Sequence, residues 1–78
     1  MEKFPAMKSK MVLRVLMREP LNYSILRQRG SHRILVSSHF PRILYSYHDV
    51  VELSGSEVRA LLMNQIGLSH TAAMEVIQ

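Results

Sequence analysis

The sequence predicts an α+β fold, in which a helix, a three-stranded antiparallel sheet and a second helix follow in order, both helices lie on one face of the sheet, and a short helical tail follows. Three observations carry that expectation. Val12, Leu13, Leu16 and Met17 recur at helical spacing and form one apolar stripe. The centre of the chain holds apolar runs separated by Arg29-Gly30-Ser31 and His39-Phe40-Pro41-Arg42, which is the pattern of strands joined by turns. Ser54-Gly55-Ser56-Glu57 reads as a capping box ahead of a second apolar face, Val58, Leu61, Leu62 and Ile66.

Taken in order, residues 1–6 read as a loose extension, and Met7-Lys8-Ser9-Lys10 opens the first helix with Ser9 as its N-cap. Pro20 ends that helix, because it disfavours the α conformation at Glu19. A strand is expected from Asn22 to Gln28 and a second from His32 to Ser37, joined as a hairpin through Gly30-Ser31. Neither alternates cleanly, so the pattern leaves the buried face open. A third strand over Ile43 to Tyr47 puts Tyr45 and Tyr47 on one face and Leu44 and Ser46 on the other. Gly67 stops the second main helix, and Ser69 caps the last one, which carries Ala72, Ala73, Val76 and Ile77.

Seventy-eight residues form a single domain with a small core, and the absence of cysteine excludes disulfides and thiolate metal sites. No apolar run is long enough to span a membrane, and residues 1–10 lack the apolar stretch of a signal peptide, so a cytoplasmic protein is expected. The formal net charge is +4. Lys8, Lys10, Arg14, Arg18, Arg27, Arg29, Arg33 and Arg42 all fall in the first 42 residues, whereas Asp49, Glu52, Glu57 and Glu75 follow them. A basic half in a small chain suits a polyanion, with nucleic acid the commonest, and it equally suits a solvated charged face.

The chemistry-bearing candidates cluster at the first hairpin. Gly30 permits a tight turn and Ser31 offers a hydroxyl. His32 brings an imidazole able to exchange a proton at neutral pH. Arg27, Arg29 and Arg33 flank it with guanidinium forks suited to phosphate oxygens, and Lys10 adds a further cation. These are the parts of an RNA-cleaving site whose nucleophile is the substrate's own 2′-OH, and they are also what an ordinary basic surface hairpin contains. His48, beside Asp49, is a second acid/base candidate. His39 and His70 read as incidental, and the four histidines show no metal-ligand spacing, so no metal or other cofactor is expected. Met7, Met11 and Met17 read as core gap-fillers, and Tyr23, Tyr45 and Tyr47 as half-buried strand residues rather than stacking platforms for bases.

Leu26-Arg27-Gln28-Arg29-Gly30-Ser31-His32 resembles the hairpin of HicA toxins, and Met7-Lys8-Ser9-Lys10 with Val12 and Leu16 resembles the start of their first helix. Tyr47-His48-Asp49, Ser54-Gly55-Ser56-Glu57-Val58-Arg59 and Gln65-Ile66-Gly67-Leu68-Ser69 follow in the family's order, so the resemblance spans residues 7–78. It implies a double-stranded-RNA-binding-domain-like fold and ribosome-independent cleavage of mRNA as the toxin of a type II toxin–antitoxin system, and the chemistry expected is metal-free, leaving a 2′,3′-cyclic phosphate. It also implies a HicB-type antitoxin that covers the active site in a hetero-oligomer. By the same resemblance His32 is the catalytic residue, presented by Gly30 and Ser31, and His48 matches a frequent histidine. The chain departs from the family at Arg18-Glu19-Pro20-Leu21-Asn22-Tyr23, where many members have glycine before an aromatic residue, and Asn22 is able to supply the left-handed conformation there. The tail from His70 to Gln78 exceeds the shortest members.

Three other readings compete. A non-catalytic RNA-binding domain of the same fold would use His32 as a phosphate or 2′-OH contact. A helix-turn-helix DNA-binding protein is disfavoured by the strand-rich centre. In a purely structural interaction module the basic charge would be incidental.

Overall fold

The computed structural model describes residues 3–78. In chain order these form β1 (Met7–Lys8), α1 (Ser9–Met17), β2 (Ser24–Arg29), β3 (His32–Val36), β4 (Ile43–Tyr45), β5 (Glu52–Leu53), α2 (Gly55–Arg59, continued as a π-helix over Ala60–Gln65) and α3 (His70–Val76). The α+β class and the antiparallel three-stranded sheet, in the order β2-β3-β4, are as the sequence predicts. A small ribbon is added: β1 pairs with β5, Met7 opposite Leu53 and Lys8 opposite Glu52. No helix among the described residues is long and apolar enough to cross a membrane.

Helix α1 begins in an unexpected way. Ser9 is not its cap; Lys8 holds that position and makes no side-chain cap bond. The loop after β4 caps the helix instead: the Ser9 amide donates to the Val51 carbonyl at 2.7 Å and the Lys10 amide to the Asp49 carbonyl at 3.3 Å. Two donors that a helix start leaves orphaned are thereby satisfied by backbone. This frees the Ser9 side chain, which is fully buried, to turn inward onto Tyr45. That anchor sets the helix rotation. Val12, Val15 and Leu16 face the core, while Leu13 is half-buried and Met17 is 43% exposed, so the buried stripe is shifted from the one the spacing suggested. Met11, at 46% exposure, is likewise no core filler, whereas Met7 does pack against the core.

The chain leaves α1 after Met17 and passes Asn22 at φ 51°, the left-handed conformation anticipated there. Strand β2 therefore starts at Ser24 rather than Asn22. It pairs with β3 through Ser24–Val36, Ile25–Leu35, Arg27–Ile34, Gln28–Arg33 and Arg29–His32, with a bulge between Ile25 and Arg27. Strand β3 pairs with β4 through Arg33–Tyr45, Ile34–Leu44 and Leu35–Ile43, and β4 ends at Tyr45, short of the expected Tyr47. Directly paired residues share a face. Leu35, Ile43 and Tyr45 are buried, so they mark the face covered by the helices, and Arg33 lies on it.

The core joins this face to Val12, Val15 and Leu16 of α1, to Val58, Leu61, Leu62 and Ile66 of the second helical segment, and to Ala73 and Val76 of α3. The capping box forms as predicted: the Ser54 hydroxyl accepts from the Glu57 amide at 3.1 Å, and Glu57 Oε1 accepts from the Ser54 amide at 2.8 Å. Ser69 likewise caps α3 by accepting from the Ala72 amide at 3.1 Å. In the π-helical part the Ile66 amide reaches back to the Leu61 carbonyl at 3.1 Å, a wide turn that keeps both side chains in the core. Gly67 ends it at φ 91°.

The expected loose extension is not loose at Phe4. This residue is 8% exposed, belongs to the core and meets the His70 ring edge-on at 5.3 Å. Gly55 makes the approach possible, since a Cβ there would collide with the Phe4 carbonyl. Residues 1–2 of the extension lie outside the described residues.

Candidate functional site

The hairpin joining β2 to β3 turns through Gly30 and Ser31, with positive φ (60°) at Gly30 alone, the pattern of a type II′ turn. The Gln28 side-chain amide donates to the Gly30 carbonyl at 3.0 Å and braces the turn. Immediately after it, His32 is the first residue of β3, directly opposite Arg29. Alternation along β3 sends His32 and Ile34 to the face the helices leave open, while Arg33 and Leu35 go to the covered face. Pairing then places Arg29 beside His32, and Arg27 and Leu44 beside Ile34, on that open face. His32, Arg27, Arg29 and Gly30 are exposed, and Ser31 is half-buried. The open face is therefore amphipathic, with a cationic end formed by Arg27 and Arg29 beside His32 and an apolar middle in which Leu44 is 56% exposed.

Arg33 does not join this group. It points to the other face, where its guanidinium donates to Asp49 Oδ1 at 3.0 Å with the side chain only 11% exposed. Its Nε and Nη1 are buried without a hydrogen-bond partner. This is the one ion pair among the described residues. A guanidinium so placed is a brace for the loop after β4 and not a freely offered phosphate fork.

That loop carries the remaining candidates. His48 opens a turn in which the Val51 amide donates to the His48 carbonyl at 3.0 Å, and both His48 and Asp49 are exposed. The same loop caps α1 beside Lys10, which is exposed. The N-terminus of α1, the loop and the Gly30-Ser31 turn thus lie at one end of the molecule, tied together by Arg33–Asp49 and by the two capping bonds. Neither His32 nor His48 forms a side-chain hydrogen bond with a described residue. No three of His, Asp and Glu gather as a metal-holding group among the described residues.

The tyrosines are structural. Tyr23 and Tyr45 are 2% and 0% exposed, so neither presents a ring to a base. Burial pushes all three tyrosine hydroxyls up from their ordinary range; at Tyr45 the Ser9 hydrogen bond opposes this, and at Tyr47 the neighbouring Glu57 adds to it. Tyr23 donates to the Pro41 carbonyl at 2.6 Å, fixing the loop that contains His39. Sequence reasoning missed Asp49 as the partner of Arg33. The separation of sixteen residues carries no local signal for that pairing.

Comparison with family models, with curated proteins and with solved structures finds no match to this chain.

Proposed function

We propose that this chain is a metal-free endoribonuclease that cleaves mRNA, a toxin of the HicA type held in check by a HicB-type antitoxin. One observation supports the reading above the rest: the segment resembling the HicA hairpin falls on a type II′ turn that delivers His32, Arg29 and Arg27 together to an exposed sheet face. The α+β architecture, with a three-stranded antiparallel sheet between helical segments, also supports the reading.

In this mechanism a phosphodiester lies across the end of the hairpin. His32 takes the proton from the substrate 2′-OH, whose oxygen attacks phosphorus; the bond to the 5′-oxygen breaks, and that oxygen takes up a proton from His48 or from solvent. Arg29 and Arg27 stabilise the charge that develops on the phosphorane oxygens. The products are a 2′,3′-cyclic phosphate and a 5′-hydroxyl. The antitoxin presents an acidic surface to the cationic end of the open face, and its apolar residues cover Leu44 and Ile34.

The test is cleavage of a long unstructured RNA by purified protein in excess EDTA, wild type beside His32→Ala. Removal of a general base is expected to slow cleavage by about 10²–10⁴-fold. A His32→Ala variant with full activity overturns the assignment.

A second reading, a non-catalytic RNA-binding domain of this fold, has an observation in its favour: His32 has no described hydrogen-bond partner to orient it as a base. Binding of RNA by both proteins, with cleavage by neither, would establish that reading instead.

A further inference from the structure

Beside the loop that Arg33 braces, a groove of about 530 Å³ runs along the exposed side of α1, lined by Lys10, Leu13, Arg14, Met17, Arg18 and Asp49. Its volume is within the range of small-ligand sites. We propose that this groove is a second subsite for the RNA strand, holding one unpaired nucleotide away from the bond being cut; the inference rests on the ribonuclease reading above.

The charges along the groove favour a polyanion. Asp49 is the only acid lining it, and its carboxylate is engaged by Arg33 from behind. Arg18 is engaged as well, donating to the Val76 and Gln78 carbonyls at 2.8 and 3.0 Å. Lys10 and Arg14 remain as exposed cations one helical turn apart, and the Arg14 guanidinium makes a weak hydrogen bond to Met11 Sδ at 3.8 Å. Leu13 and Met17, also one turn apart, make an apolar floor, with Met17 43% exposed. Cations for phosphates lie here beside an aliphatic strip that a base can cover, so phosphate attraction supplies most of the affinity.

Position supports the same occupant. Asp49 lines the groove, caps α1 through its carbonyl and holds Arg33, the residue next to His32. The groove is therefore linked to β3 through Asp49 and Arg33, on the side of the sheet away from His32. A strand whose scissile phosphate sits at His32, on the open face, reaches α1 by passing round the sheet at the His48-Asp49 loop.

The experiment measures binding of a short 2′-O-methyl oligoribonucleotide, which lacks the attacking hydroxyl, to the full chain and to Arg14→Glu and Met17→Asp variants. Arg59→Glu makes the same charge change on the exposed surface of α2 and serves as the control. Arg14→Glu is expected to weaken binding by about tenfold or more and to lower the slope of log K against log salt by about one, the signature of a lost phosphate contact. Met17→Asp is expected to weaken binding as well, and Arg59→Glu to leave it unchanged. Equal affinity of the wild type and both groove variants overturns the subsite while leaving RNA cleavage by the wild type intact as a separate result. Loss of a protein partner without loss of RNA affinity in the groove variants overturns it in favour of a protein interface. Failure of every form to bind RNA overturns both this inference and the reading it rests on.

Discussion

Ser9 and Tyr45, thirty-six residues apart in sequence, close a hydrogen-bonded pair in the core: the Tyr45 hydroxyl donates to the Ser9 carbonyl at 3.0 Å, and the Ser9 hydroxyl lies 2.8 Å from the Tyr45 oxygen. Both residues are 0% exposed. This pair ties the first turn of α1 to the last residue of β4 and sets the face that α1 turns to the sheet. Tyr45→Phe keeps the ring but removes both bonds, leaving the Ser9 hydroxyl only its longer 3.4 Å bond to the Tyr47 carbonyl, at a cost of about 1–3 kcal/mol. Urea denaturation of Tyr45→Phe, Ser9→Ala and the double variant checks it. Because the residues share one interaction, the double variant is expected to lose less than the two single losses added.

The Arg33–Asp49 pair leads to an ordering that intuition reverses. Asp49→Ala strands a guanidinium that is only 11% exposed, whereas Arg33→Met leaves a carboxylate that is already 52% exposed and readily solvated. Removing the acid is therefore expected to destabilise more than replacing the base by an apolar chain of similar length. Because half of Asp49 faces water, the gap is reduced to about 1 kcal/mol. Thermal unfolding of the two variants side by side reads the order, and a lower midpoint for Arg33→Met would contradict the argument.

Acid sensitivity has one identifiable contributor at the start of α2. The Ser54 backbone amide, followed by the Ser54 and Tyr47 hydroxyls, holds the Glu57 carboxyl below its ordinary value of 4.5. A carboxyl depressed on folding contributes stability above its unfolded pKa and loses it as pH falls through the folded one. Wild type is thus expected to lose stability as pH drops below about 4.5. Glu57→Gln keeps an acceptor for the amide but removes the charge, so the corresponding part of the pH slope disappears. Stability against pH for the two proteins provides the measurement.

Gly55 is the position where the smallest side chain does harm. A Cβ there would run into backbone atoms of Phe4, which cannot rotate away as a side-chain end could. Gly55→Ala is expected to lift the 3–6 segment from the core and cost about 1–3 kcal/mol. Loss of the ring-current shift that Phe4 and His70 impose on each other, followed by NMR, distinguishes displacement of this segment from general unfolding.

What the sequence revealed and what it withheld divide along chain distance. The Ser54 capping box, the Gly30 turn, the left-handed Asn22 and the Ser69 cap each involve residues within three or four positions, and each was legible from the residue types alone. The position of His32 on the hairpin, and its company of Arg27 and Arg29, belongs to the same local class. Ser9 was misread because the usual signature of a cap is a small hydroxyl before an apolar run. Here the capping atoms are the carbonyls of Val51 and Asp49, far downstream in the chain. Arg33 was grouped with its neighbours for a related reason: adjacency in a strand means opposite faces, and the bulged, poorly alternating β2–β3 pattern does not reveal which face is which. The β1–β5 ribbon, two residues on each side, is too short to leave a pattern of its own.

The irregularity in β2 bears on how this molecule behaves in a crowd. Its six residues are exposed along an outer border of the sheet, where an unpaired row of amides and carbonyls invites a neighbouring chain to zip on. The bulge between Ile25 and Arg27 breaks the regular repeat such zipping needs, and Arg27 and Arg29 would bring like charges together if two copies met along this border. Straightening the strand by deleting Leu26 would remove that safeguard, and fibrillation of concentrated protein would show its loss.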